Sequence, residues 1–104
     1  MTTIPLKTWE EMSQEPGSII IGPTSFIVKS INKNDEWVGI TEWHKDREGT
    51  LCGGWVPFDV PGIDEFYRKN AWQVVSLDPL HIEPSLLCSC GNHGFIRNGK
   101  WEPC

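Results

Sequence analysis

Eight prolines and ten glycines are spread along 104 residues, and they constrain this chain more than any other feature. Proline removes a backbone donor and glycine costs helix stability, so neither belongs inside regular helices. Segments between them are short, and such punctuation favours many brief strands joined by tight turns. Only two stretches read as helix. In "KTWEEMSQEPG" Thr8 is placed to cap the first turn, Glu11 completes a capping box, and Pro16-Gly17 ends the helix. "GIDEFYRKNA", after Pro61, is the second.

The remaining signals are β. "SIIIG" suits a buried strand. "SFIVKSI" and "EWVGITEWHK", separated by "NKND", read as a hairpin. Alternation on the second arm puts Trp37, Gly39, Thr41 and Trp43 on one face and Val38, Ile40 and Glu42 on the other. His44 reads as an exposed strand end. "KDREGT" makes the next turn and "LCGGWVPFDV" the next strand, where Gly53-Gly54 marks a bulge or a close backbone approach. "WQVVSL" and "LHIEP" follow as extended segments. The expected fold is one domain over residues 1–104, mainly β within the α+β class. It consists of short antiparallel strands with one or two short helices and a C-terminal β-hairpin. Apolar residues make up only 38%, so the six tryptophans must fill much of the core.

Charge narrows the function classes. The net charge is −5, and the densest basic run, "HKDREG", is mixed in sign, so non-specific nucleic-acid binding is not expected. No apolar run approaches the roughly 20 residues that span a bilayer. "MTTIPLKTWEEM" lacks the basic start and apolar stretch of a signal peptide. The expected setting is a cytosol, where thiols stay reduced and clustered cysteines point to metal sooner than to disulfides.

Three of the four cysteines lie in the closing stretch "LLCSCGNHGFIRNGKWEPC". Asn98-Gly99 predicts a two-residue type I′ turn. Counting outward, Arg97 pairs with Lys100, Ile96 with Trp101, Phe95 with Glu102, Gly94 with Pro103, and His93 with Cys104. The resulting candidate metal set is Cys88, Cys90, His93 and Cys104, four ligands of a type that zinc prefers. Gly91, after the second cysteine, permits a sharp turn that aims amides at thiolates. Cys52 is an alternative to Cys104 as fourth ligand. The competing reading is that the thiols are small buried hydrophobes, and both readings stay open here.

No Ser-His-Asp arrangement, phosphate loop or HExxH motif occurs, and adjacent acid pairs point apart, so no catalytic set is assigned. Trp37 and Trp43, sharing one strand face, are the candidate binding interface.

The segment "DPLHIEPSLLCSCGNHGFIRNGKWEPC", with "GGWVPFDVPG" upstream, resembles a family of short uncharacterised bacteriophage proteins. That resemblance implies a phage origin and a metal-knuckle-like C-terminus, for which a structural zinc is the expected cofactor, but carries no activity. The expected function is a non-enzymatic phage module that binds another protein, a host or defence protein in the host cytoplasm. The alternatives are a self-associating virion subunit, of decoration or connector type, and a small metal-dependent hydrolase or nuclease.

Overall fold

The computed structural model describes residues 8–104 and is mostly β. Helix α1 (Trp9–Ser13) starts at the expected capping box, with Thr8 Oγ1 accepting from the Glu11 amide and Glu11 Oε1 accepting from the Thr8 amide. Its Trp9 packs edge-on against Phe26, with ring centroids 5.6 Å apart. Burial of that ring anchors a helix too short to be stable alone.

Strands β1 (Ser18–Gly22), β2 (Ser25–Ile31), β3 (Trp37–Lys45) and β4 (Leu51–Pro57) form one antiparallel sheet in the order β1-β2-β3-β4. The Asn32 side chain shapes the β2–β3 loop by accepting from the amides of Asn34 and Glu36. Asp46 does the same beyond β3, accepting from Glu48 and Thr50. Helix α2 (Glu65–Arg68), capped by Asp64, lies in the connection to a second sheet. That sheet contains β5 (Gln73–Leu77), β6 (Leu80–Leu87), β7 (His93–Arg97) and β8 (Lys100–Pro103), again antiparallel and in chain order. A parallel bridge between Phe58 and Trp72 ties the end of the first sheet to the start of the second.

The core gathers residues of both sheets. Ile21, Ile27, Ile40, Val56 and Phe58 meet Leu80, Ile82, Leu86 and Ile96. The alternation read along β3 holds except at Gly39: Val38, Ile40 and Glu42 are buried and Trp37, Thr41 and Trp43 are half-buried, while Gly39, expected on the tryptophan face, is buried. The close approach expected at Gly53 also holds. A Cβ there would lie 2.4 Å from the Glu42 carbonyl and 2.6 Å from the Trp43 ring.

The C-terminal hairpin has the register counted from its turn. Arg97 pairs with Lys100, Ile96 with Trp101, Phe95 with Glu102 and Gly94 with Pro103. Asn98 and Gly99 both adopt positive φ, 54° and 73°, as a type I′ turn requires. Strand β6 runs on past "LHIEP", with its pairing to β7 interrupted between Ile82 and Leu86. Pro84 sits in that interruption, where its missing amide breaks no ladder bond.

Candidate metal centre

The metal-ligating groups come together where the two sheets meet. On β3 the inward alternation of Val38, Ile40 and Glu42 continues to His44, which is 2% exposed. Cys52 on β4 is the direct cross-strand partner of His44. Directly opposed residues share a sheet face, so imidazole and thiol project to the same side. The connection between β6 and β7 supplies Cys88 and Cys90. That loop is a closed turn in which the Cys88 amide donates to the Asn92 carbonyl at 2.8 Å and the Gly91 amide to the Cys88 carbonyl at 2.9 Å. Gly91 takes φ 95°, the left-handed conformation its position after the second cysteine suggested.

One nitrogen of His44 and the sulfurs of Cys52, Cys88 and Cys90 all lie within 4.8 Å of one another. His44 Nε2 is 3.2 Å from Cys90 Sγ, and Cys52 Sγ is 3.3 Å from Cys88 Sγ. A tetrahedral ion with bonds near 2.3 Å separates neighbouring sulfurs by about 3.8 Å. Side-chain shifts of about half an ångström would bring the set to that geometry. The four cysteines are free thiols, so these sulfurs are available as ligands.

Behind the cluster stands a buried carboxylate. Glu42 accepts from His44 Nδ1 at 2.8 Å through one oxygen and from Ser25 Oγ at 2.8 Å through the other. A carboxylate only accepts, so Nδ1 carries the proton and Nε2 turns its lone pair toward the sulfurs. Metal-binding histidines are commonly oriented by such an outer carboxylate, which also raises their basicity as ligands. Glu42 is 5% exposed, and the described residues place no lysine or arginine in a salt bridge with it. A buried, uncompensated charge is expensive, and a cation behind the imidazole offsets that cost.

The thiols are electrostatically unequal. The Cys90 backbone amide, helped by the Cys52 and Cys90 thiols and by His44, holds the Cys88 thiol down at about 7. Cys52 is pushed up to about 12, first by its hydrogen bond to Cys88 and then by burial. Without an ion, one sulfur readily becomes thiolate while its neighbour retains a proton. A metal ion displaces that proton and binds both as thiolates.

Of the four ligands expected from sequence, Cys88 and Cys90 belong to the cluster. His93 and Cys104 do not. They lie across from each other, with the Cys104 amide donating to the His93 carbonyl at 3.0 Å. Gly94 and Ile96 are buried, so alternation turns the His93 side chain to the opposite face, where Nε2 meets Ser85 Oγ at 2.9 Å. Cys104 is exposed. Their places are taken by Cys52, the alternative ligand, and by His44, which the sequence had placed at an exposed strand end. The missed signal was alternation: two residues beyond Glu42 on the inward face of β3 is His44.

Trp37 and Trp43 form no exposed patch. Trp37 packs against Phe58, with Lys29 Nζ 4.4 Å from its ring, and Trp43 covers Gly53. The exposed aromatic group lies elsewhere, where Trp55 meets Tyr67 at 4.9 Å and Tyr67 meets Phe66 at 5.2 Å. Phe66 is 81% exposed. No family model, curated protein or solved structure matches this chain, and its chemistry is read from its own residues.

Proposed function

We propose that this chain is a small, non-enzymatic protein-binding module whose two sheets are stapled by a structural zinc ion on His44, Cys52, Cys88 and Cys90. The observation that carries the proposal is the donor set: three sulfurs and one imidazole, backed by Glu42, at the junction of the sheets. Soft thiolates with one imidazole suit zinc, and four protein ligands fill a tetrahedral shell. That leaves no open position for an activated water, which weighs against the hydrolase or nuclease alternative.

The binding half of the proposal is supported by the Trp55–Tyr67–Phe66 cluster, because exposed aromatic groups beyond the core's needs mark interaction surfaces. The phage-protein resemblance directs the choice of partner to a host or defence protein in the infected cytoplasm, with a virion role as the alternative. No helix among the described residues is long and apolar enough to cross a membrane.

Zinc quantification on protein purified without added metal tests the staple. About one equivalent is expected, and chelation at neutral pH should lower the melting temperature. Less than about a tenth of an equivalent, with no effect of chelator, sinks the zinc assignment. For the partner, capture from host lysate should be lost in Phe66→Ala/Tyr67→Ala protein that keeps its zinc and melting temperature. Capture unchanged by that pair of substitutions removes the aromatic surface from the proposal.

A further inference from the structure

A cavity shares a wall with the metal cluster, with His44 and Cys88 in its lining. It is a half-open space of about 240 Å³, and Glu42, His44, Gly54, Trp72, Leu86 and Trp101 are among the residues that line it. Gly54 faces Glu42 directly across β3 and β4. A Cβ on Gly54 would meet nothing within 4 Å, so the cavity occupies space that a side chain at this position would fill.

Charge indicates what such a space accepts. A zinc ion with three thiolates and a neutral imidazole has a formal charge of minus one, and the Glu42 carboxylate adds another. No lysine or arginine lies among the cavity's lining residues. Two formal negative charges therefore border a partly apolar space with two indoles in its wall. Carboxylates and indoles both attract organic cations, and the attraction strengthens as water is excluded.

Shape and occupied lone pairs select among cations. Both Glu42 oxygens are already engaged, one by His44 and the other by Ser25 and His44. The forked guanidinium of arginine wants two free carboxylate oxygens side by side, whereas a compact ammonium needs only one remaining lone pair. The volume lies below the roughly 300–1,000 Å³ of drug-sized ligand sites, which suits a single side chain. Leu87, 72% exposed, is among the cavity's lining residues and offers apolar surface to the chain carrying that side chain.

We propose that this cavity receives a lysine side chain of the partner protein, its methylenes against Trp72, Leu86 and Trp101 and its ammonium at Glu42. The inference rests on the zinc reading above, which supplies half of the negative charge, and it names the partner's anchoring group.

The test uses the intact, zinc-assayed chain and a blocked lysine peptide, followed by the indole N–H signals of Trp72 and Trp101. The peptide should shift both signals and bind at least tenfold more tightly than its Nε-acetyl counterpart, which has the same stem without the charge. Gly54→Leu fills the cavity while leaving the four ligands alone, and should retain zinc yet lose peptide binding. Zinc-loaded protein that binds the acetylated peptide equally well, or Gly54→Leu protein that binds like the parent, overturns the lysine site and leaves the zinc reading standing. Protein that holds no zinc overturns both. n-Butylammonium that binds more tightly than the peptide reassigns the cavity to a free amine and overturns the partner assignment.

Discussion

Replacing Glu42 by glutamine probes the centre without touching a ligand. The carboxylate accepts from His44 Nδ1 and Ser25 Oγ, both at 2.8 Å. A glutamine of the same shape keeps an oxygen for Nδ1–H, and its amide can donate to the serine hydroxyl. The network survives, but the negative charge behind His44 is gone. Loss of an outer carboxylate typically weakens metal binding about 10- to 100-fold, equivalent to about 1.4–2.7 kcal/mol. Glu42→Leu is harsher. It leaves the Ser25 and His44 donors buried without an acceptor, at about 1–3 kcal/mol each.

The assay is competition for zinc against a chromophoric chelator, with thermal melts of metal-free and metal-loaded protein. Glu42→Gln should lose zinc affinity in the stated range while its metal-free melting temperature changes little. Glu42→Leu should lose both, with about 2–6 kcal/mol taken from stability and about 4–8 °C of melting temperature per kcal/mol in a domain of this size. If Glu42→Gln holds zinc within twofold of the parent, the carboxylate does not act through His44. The second-sphere argument then fails.

Cys88→Ser should abolish stoichiometric zinc and lower the melting temperature. Cys104→Ser and His93→Ala should leave zinc content unchanged and stability within about 0.5 kcal/mol, as expected for exposed sites; a metal content that tracks His93 or Cys104 would restore the ligand set first read from sequence. Zinc binding should release protons at neutral pH, since Cys52 holds its proton up to about 12 while Cys88 gives up its own near 7. Titration calorimetry in buffers of different ionisation enthalpy reads that release, and affinity should climb from pH 7 to 8; a pH-independent affinity refutes the proton displacement. Gly53→Ala should cost about 1–3 kcal/mol or more in a denaturant melt, because the new methyl meets the Glu42 carbonyl, a backbone atom of the paired strand that cannot swing aside. Arg68 Nε lies 2.8 Å from Asp59 Oδ1 and, with Gln73, holds that carboxyl below the usual range. Arg68→Ala should therefore raise the Asp59 titration midpoint by NMR. With a lowered folded-state value, the parent's small advantage is present above the unfolded carboxylate range and disappears as pH falls through the folded midpoint.

Local chemistry in the sequence determined much of the scaffold. Thr8 and Glu11 form the helix start they spell, and Asn98-Gly99 fixes both the last turn and the pairing outward from it. Alternation along β3 identified its buried face because side chains on a strand repeat every two residues. Turns and pairings of this kind depend on backbone geometry within a few residues. The tertiary structure decided which cysteines and which histidine meet. Pairing brought His93 opposite Cys104, but the burial of Gly94 and Ile96 turned the His93 side chain away from the thiols. His44 lies on the first sheet and Cys88 in the β6–β7 connection of the second, and only packing of one sheet on the other brings their neighbourhoods into contact. The same packing leaves Trp55, Tyr67 and Phe66 outside and sets Trp37 against Phe58 of the core, while Trp43 covers Gly53. Face and register are local consequences of a strand's period. Proximity between sheets follows from how the whole apolar surface is buried, and short motifs carry no record of it.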